Sequence, residues 1–372
     1  MIVVIADDFT GAAELGGIGL RHRLSVEIVV PVEGSFAFPA GIDLLVIATD
    51  TRSMKEEEAV ATMEAVTRRV ALLQPSWIYK KTDSVLRGYV VPEIRAQLRV
   101  LGLSRALLIP ANPALGRTIH AGHYFLNGEP VHHSAFSVDP DFPVTSSDLQ
   151  DMLHVRQAPA AVRKLSEELP DDGIVVGEVE TTGDLADWAG RVDPGTFLAG
   201  ASGFFSALLL LRTTVVVAPP AAPAPAGSPA LFVSGSTFDK SRSAIRKIHS
   251  EGGPVSYMPA QEAQFGIWCE EVIALLLQKG RAIVAIREES NGRSAGWLKN
   301  LMAKMVQRVL ESVSIKELTI EGGATAYAIL QRAGLRTFFP VQELAPGVIR
   351  MKVQEAPSLY ITVKPGSYNW PI

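Results

Sequence analysis

The sequence predicts an α/β protein of two domains: an N-terminal Rossmann-like, mostly parallel sheet with helices on both faces, and a smaller C-terminal α/β domain. Three observations carry this expectation. Short runs rich in β-branched residues recur with helix-like segments between several of them, the rhythm of strand–helix–strand units. The runs are continuously apolar rather than alternating, as strands buried on both faces are. A stretch holding Pro219, Pro220, Pro223 and Pro225 with only alanine between them interrupts the pattern past mid-chain. The 372 residues also exceed one typical domain.

The first-domain runs are IVVIAD (2–7), VEIVV (26–30), LLVIAT (44–49), WIYKKTDS (77–84), RALLIPAN (105–112), GIVVGEV (173–179) and TFLAGASG (196–203). Helices are expected over 53–73 and 90–102, and a cap-like Ser or Asp opens another in SSDLQDMLHV (146–155). Residues 113–150 show little pattern of either kind. A loop of that length in a compact domain is functional or disordered, and its aromatics and glycines argue against disorder. The proline–alanine stretch reads as an extended, semi-rigid linker. The expected domains are therefore 1–217 and 230–372, joined by residues 218–229. In the second domain, strand-like runs return as ALFVSGS (230–236), RAIVAI (281–286), IKELTIEGG (315–323) and LYITVKPGS (359–367), with an amphipathic helix over 265–280.

Composition narrows the function. Hydrophobic residues make up 47% of the chain and the formal net charge is -4. There is no basic excess for nucleic acid and no acidic tail, so small molecules are the expected partners. Cys269 is the one cysteine. It can form no internal disulfide and reads as a small buried hydrophobe. Met1 runs straight into a strand with no charged leader, and no apolar stretch approaches a membrane span. A cytoplasmic protein is expected.

In parallel sheets ligands bind beyond the carboxyl ends of the strands. Those ends carry Asp7-Asp8-Phe9-Thr10-Gly11, Asp50-Thr51-Arg52-Ser53, Lys80-Lys81-Thr82-Asp83-Ser84 with Arg87 beyond, and Asn112 followed by Arg117. Paired carboxylates suit a polyhydroxylated ligand, a metal, or a proton taken from an alcohol. Arginine and lysine beside them suit a carboxylate or phosphate. The same residues also fit plainer roles: Asp7-Asp8 as a helix cap, Lys80-Lys81 as a solvated pair, TDSVLRG as a turn before a helix. A dinucleotide fingerprint is absent, because GGIGLRH (16–22) starts too far past the first strand, and no P-loop motif occurs. The His-x-x-His spacing of His120 and His123 has no partner that would make a zinc site. A histidine contacting substrate is the better expectation there. In the second domain, VSGSTFDKS (233–241), IEGGATA (320–326) and VKPGSY (363–368) are strand ends with small polar loops. Such loops offer backbone N–H groups to phosphates, and also serve ordinary strand–helix turns.

Taken together, ADDFTGA (6–12), KTDSVLRG (81–88), PANPALGRT (110–118), GHYFLNG (122–128) and GASGFF (200–205) resemble the motifs of the four-carbon acid sugar kinase family. VSGS, GGATA and KPGS resemble those of its nucleotide domain. The likeness spans nearly the whole chain and is looser in the second half. It implies ATP-dependent phosphorylation of the terminal hydroxyl of a threonate-, erythronate- or 3-oxotetronate-type acid. The sugar acid would lie on the first domain, with ATP and Mg²⁺ on the second. The resemblance implies catalytic roles for Asp8, Asp83 and Lys81. Asp7, Thr10, Ser84, Arg87, Asn112, Arg117 and His123 are the implied substrate contacts. Ser236, Gly322, Gly323, Ala324, Thr325 and Gly366 are the implied ATP contacts, and no Mg²⁺ ligand can be named. Expected partners are the sugar acid and ATP, with no nucleic acid and no membrane; a homodimer is compatible with the sequence. Two departures stand out. Ala324 replaces a frequent acid of the family, and KPGSYN replaces K-S-G-N-F-G. A non-catalytic sugar-acid-binding or regulatory protein is the alternative.

Overall fold

A computed structural model describes residues 1–32, 36–37, 41–139, 141–154, 160–212, 227–236, 238–287 and 293–366. The chain divides into two compact units. One comprises Met1–Val26 and Pro31–Ala218; the other comprises Glu27–Val30 and Pro219–Ile372. Most of the expected linker, residues 218–226, lies outside the described residues, as does Ser367.

From its start the chain runs β1 (Ile2–Ala6), α1 (Phe9–Arg21), β2 (Val26–Val29, of which all but Val26 belongs to the second unit), β3 (Leu44–Ala48), α2 (Glu56–Ala71), β4 (Trp77–Lys81), α3 (Val90–Leu101) and β5 (Arg105–Ile109). It continues with β6 (Arg117–His120), β7 (His123–Leu126), β8 (Glu129–Pro130), α4 (Leu149–Met152), β9 (Ala161–Arg163), β10 (Gly173–Gly177), α5 (Thr182–Gly190), β11 (Thr196–Gly200) and α6 (Ser202–Arg212). In the first unit the sheet order is β3-β1-β4-β11-β5-β10-β9, with every pairing parallel. All five residues of β1 and of β3 are buried, which explains their unbroken apolar runs. Helix α2 packs on α3, while α6 packs on both α1 and α5.

Two expectations change. Residues 27–30 group with the second unit, because Ile28 and Val29 pair with a strand of its sheet. An apolar run announces a strand but not the edge it joins. Residues 113–150 are not structureless: β6-β7-β8 form a small antiparallel sheet. Ala121-Gly122 and Asn127-Gly128 join its strands, all four with positive φ. That is the two-residue hairpin turn whose twist matches the strands. The helix expected after residue 146 is the single turn α4, capped by Asp148.

The second unit contains β12 (Ala230–Ser234), α7 (Asp239–Ser250), β13 (Val255–Tyr257), α8 (Phe265–Lys279), β14 (Arg281–Ala285), α9 (Ala295–Ser312) and β15 (Glu317–Glu321). There follow α10 (Gly323–Arg332), β16 (Thr337–Ala345), β17 (Val348–Val353) and β18 (Tyr360–Lys364). Strands β13-β14-β12-β15-β18 are parallel, and β17, β16 and β2 continue the sheet antiparallel. The chain leaving β12 goes toward β13 and β14, whereas the chain leaving β15 goes toward β18. The strand order thus reverses between β12 and β15, where open parallel sheets form a binding crevice.

Candidate active site

In the first unit the parallel strands deliver their carboxyl ends to one edge. Asp8 stands just past β1 in extended conformation and caps α1. Its Oδ1 accepts from the Gly11 N–H at 2.8 Å, and its Oδ2 accepts from the Thr10 hydroxyl at 2.6 Å. A Cβ at position 11 would fall 2.6 Å from that Oδ1 and 3.2 Å from Lys81 Nζ, so the capping turn needs glycine. Asp7 does not share the cap. It turns to Arg52, which donates from Nη2 at 3.0 Å and Nε at 3.3 Å.

Arg52 is the centre of the cluster, and the motifs gave it no role. Besides Asp7 it lies 3.6 Å from Asp8 Oδ1 and 3.4 Å from Asp83 Oδ1. Burial opposes its charge, but the three carboxylates lift its pKa well above the ordinary value. Asp83 is wrapped more tightly still. It accepts from the N–H groups of Val85 and Arg87, and from Arg87 Nε and Nη2 at 3.0 and 2.8 Å, a two-pronged grip. Burial would raise both the Asp8 and Asp83 carboxyls. Arg52 and Lys81 overcome this at Asp8, and Arg87 and Arg52 do so more strongly at Asp83. Both sit below the usual carboxylate range, Asp83 well below. Asp50 and Leu86 flank these groups with φ of 54° and 63°. Left-handed backbone at residues other than glycine is strain held at a site.

Lys80 and Lys81 are both buried, not solvated. Adjacent strand residues point to opposite faces. Lys80 meets Glu93 of α3 at 2.6 Å on one face, while Lys81 lies 3.8 Å from Glu14 of α1 on the other and donates to the Thr82 carbonyl. Lys81 therefore belongs with the acids, and Lys80 is structural.

The segment 113–150 supplies a wall of the same cluster. Arg117 donates to the Ser84 hydroxyl at 2.6 Å, and Asn112 donates to Ser202 at 3.1 Å. The Phe136 ring lies against the guanidiniums of both Arg87 and Arg117, at 5.1 and 5.7 Å. Asp139 takes the remaining edge of Arg87 at 2.7 Å, and Tyr124 donates to the Ser84 carbonyl. His123 is exposed, and strand alternation sets it opposite the buried Tyr124. The contacts join Asp7, Asp8, Thr10, Lys81, Asp83, Ser84, Arg87 and Arg117 and leave His123 outside. Sequence reasoning set Arg52 on this edge, since it follows a strand end directly, but gave it no role; it missed Phe136, Tyr124 and Asp139, which sat in a segment without pattern.

In the second unit the ends of β12, β15 and β18 are tied together beneath the glycine loops. Glu321 is fully buried and accepts from Ser234 at 2.9 Å, Ser241 at 2.5 Å and Lys364 at 2.7 Å. Gly322, with φ of 104°, caps α10. A Cβ at Gly235 would strike Thr325 Oγ1 at 2.1 Å, and one at Gly366 would come 3.1 Å from Ser236 Oγ. Of the residues expected at ATP, Ser236, Gly322 and Gly366 thus lie on loops at three neighbouring strand ends, and Gly323, Ala324 and Thr325 in the first turn of α10. Ala324 stands in the first turn of α10, and Glu321, held by Lys364, is not free to replace an acid there. Among the described residues no group of three or more His, Cys, Asp or Glu is arranged to hold a metal. Between Asp7, Asp8 and Asp83 the cation is Arg52.

A sheet edge of buried acids and arginines in one unit, with glycine loops at a strand-order reversal in the other, is chemistry that suits a polar small molecule and a phosphate-bearing one. Residues 2–208 match the family described as sugar-binding N-terminal domain, and residues 233–368 the one described as nucleotide-binding C-terminal domain. The chain is 30% identical to the D-threonate kinase of Cupriavidus necator, over 93% of this chain and 89% of that one. It is 25% identical to the 3-oxo-tetronate kinase of Brucella melitensis, over 98% and 92%. It is 32% identical to the D-erythronate kinase of Heliobacterium modesticaldum, over 41% and 35%. The chain belongs to the four-carbon acid sugar kinase family, a family of small-molecule kinases. Crystal structures from Salmonella typhimurium LT2 and of Haemophilus influenzae protein HI1011 share the fold. Their TM-scores are 0.77 and 0.70, each at 20% identity, covering 99% of this chain and 96% and 97% of theirs. No described helix is long and apolar enough to cross a membrane.

Proposed function

We propose that this chain transfers the γ-phosphoryl group of ATP to the terminal hydroxyl of a four-carbon sugar acid of the threonate, erythronate or 3-oxotetronate type. The observation that carries the reading is the Arg52-centred cluster: ionised carboxylates, a buried lysine and two arginines at one strand edge, in the unit matched as sugar-binding. A sugar acid needs cations for its carboxylate and carboxylate or amide oxygens for its hydroxyls. Phosphoryl transfer needs chiefly positioning and charge stabilisation.

Asp8 is the residue we assign to the reacting hydroxyl. Both Asp83 oxygens are engaged by Arg87, whereas Asp8 Oδ2 takes a single hydrogen bond, from Thr10. As the hydroxyl oxygen bonds to phosphorus and the bond to the departing ADP oxygen breaks, the hydroxyl proton passes to Asp8 and then to solvent. Asp83 acts by holding Arg87 and Arg52 in place. Lys81 and Arg117 offset the negative charge of the sugar acid and the transferring group. Asp7, Thr10, Ser84 and Asn112 line the substrate side, and His123 contributes little.

On the nucleotide side Ser236, Gly322, Gly323, Ala324, Thr325 and Gly366 would receive ATP. The tight glycine packing and the positive φ of Gly322 fit backbone N–H groups turned to phosphates. Magnesium would supply charge neutralisation on those phosphates. The residues fit an ion that arrives on the nucleotide and keeps much of its water rather than one held in a protein cage. Soluble expression as a cytoplasmic enzyme, and a homodimer, are compatible with this reading.

The test is ADP release on a panel of C4 sugar acids, repeated with Asp8→Asn. Loss of general-base assistance should lower kcat by about 10²-fold or more. Undiminished turnover would remove Asp8 from the role. One observation favours a second reading, a sugar-acid-binding protein without transferase activity: Ala324 stands where an acid is frequent, and Glu321 is engaged by Lys364. That reading predicts a sugar-acid response with no ADP formed.

A further inference from the structure

Arg52 and Arg87, the two guanidiniums that face Asp83, come from different segments. Arg52 stands in a single turn, Thr51–Ser53, that follows β3, and Arg87 stands before α3. The two cations repel, Arg52 opposing the charge of Arg87. Asp83 bridges them, its Oδ1 lying 3.4 Å from Arg52 Nη1 and 2.8 Å from Arg87 Nη2. A second path joins them round the outside. The hydroxyl of Tyr89, the N-cap residue of α3, donates to the Met54 carbonyl at 3.0 Å, and Met54 ends the turn that carries Arg52. The Tyr89 ring meets Phe142 edge-on, with centroids 5.4 Å apart. The Phe142 N–H donates to Asp139 Oδ1 at 2.8 Å, and Asp139 Oδ2 accepts from Arg87 Nη1 at 2.7 Å. Gly88, with φ of 91°, lets the chain pass close to Arg52, since a Cβ there would lie 3.4 Å from Arg52 Cγ.

These contacts close a ring. It runs from Arg52 through Asp83 and Arg87 to Asp139, and returns through Phe142 and Tyr89. The first half is held by charge, the second by one aromatic pair and one hydroxyl. The ring answers a physical need. Two like charges that share a single carboxylate still push apart, and a bound anion gains most from cations whose spacing is set before it arrives. A bridge on one side leaves that spacing loose, whereas a link on the far side as well holds it.

We propose that Tyr89 is a positioning residue for the sugar-acid site: with Phe142 it fixes the spacing of Arg52 and Arg87, and so the affinity of the site for its anionic substrate. This rests on the sugar-acid reading above and deepens it. Tyr89 lies just past KTDSVLRG (81–88) and Phe142 lies in the segment without pattern, so no motif announced either.

The experiment is calorimetric binding of D- and L-threonate and D- and L-erythronate to the full chain. It compares wild type, Tyr89→Phe, Tyr89→Ala, Phe142→Ala and the double alanine variant. Both side chains are half-buried, and Tyr89→Phe removes one oxygen only, so it keeps the test open should an alanine variant fail to fold. Tyr89→Phe should weaken the acid that wild type binds best by about three- to tenfold, the size of one lost hydrogen bond. Phe142→Ala should act in the same direction. Because the two rings belong to one circuit, the double variant should be within about twofold of the weaker single variant, where independent contributions would multiply. In turnover, KM for the sugar acid should rise while KM for ATP stays within about twofold. A side chain that only supports the fold would lower the melting temperature and leave both constants unmoved. Affinity indifferent to Tyr89→Phe and Phe142→Ala, or losses that multiply in the double variant, overturns the positioning role and leaves the kinase reading standing. The expected losses in a chain that releases no ADP uphold the role and overturn the transferase reading. A wild-type chain that binds none of these acids overturns both.

Discussion

Arg52 illustrates how one side chain can decide what several others are. Without it, Asp8 and Asp83 would be carboxylates buried beside Asp7 at one strand edge, and burial alone would raise the pKa of both. With it and Arg87 in place, Asp8 and Asp83 are held ionised. Arg52→Gln should therefore cost about 3–5 kcal/mol, the usual penalty for leaving buried charge uncompensated; urea denaturation would measure it. The depressed carboxyls also fix a pH dependence. A group whose folded pKa lies below its unfolded value contributes stability above the unfolded value, and that contribution is lost as pH falls through the folded one. The contribution of Asp8 and Asp83 should thus be full above about pH 4, near the ordinary aspartate value, and decline below it. Asp83→Asn should start less stable and show a shallower decline in acid. The same substitution should reduce turnover far more than it weakens ATP binding. Equal loss of both would count against its assigned place.

At the scale of elements, β4 shows how a strand serves two masters. Its last two residues are lysines, and the pleat sends them to opposite faces, Lys81 to the acid cluster and Lys80 to Glu93. Burial raises the Glu93 carboxyl pKa against the pull of Lys80. Lys80→Ala should destabilise the fold by about 3–5 kcal/mol, whereas the pair Lys80→Met with Glu93→Leu should recover most of that loss, since an apolar pair of similar volume needs no desolvation. Thermal or chemical unfolding of the three variants decides this, and an equal loss in the double variant would show that the pair itself is favourable. Most strands of the parallel sheets were readable because each is a short unbroken apolar run, whereas β9 and β13, of three residues each, were too short to announce themselves. The small sheet β6-β7-β8 was not, because RTIHAGHYFLNG mixes charged, histidine and aromatic residues and has no buried period. The Asn127-Gly128 turn was the one local sign of it. The pairing of residues 27–30 with β16 was equally hidden, since partner choice is a property of the folded chain. Among the residues that the contacts join, Asp7, Asp8, Lys81, Asp83, Ser84, Arg87 and Arg117 could be read as candidates from their positions after strands. The exposure of His123 could not, because a motif gives a residue's neighbours but not the direction of its side chain.

For the whole molecule, each of the two units brings a site of its own. The account therefore predicts two separable ligand responses. A sugar acid and ATP should each raise the melting temperature alone, since either would bind the folded chain in preference to the unfolded one. Arg52→Gln should abolish the first response and spare the second; scanning calorimetry of that variant is the check. The proposed reaction is measured as ADP release from ATP with Mg²⁺ across D- and L-threonate, D- and L-erythronate and their 3-oxo forms. Turnover is expected on at least one of these acids, lowered by about 10²-fold or more in Asp8→Asn. Absence of ADP across the panel, while one of the same acids still raises the melting temperature, would contradict it.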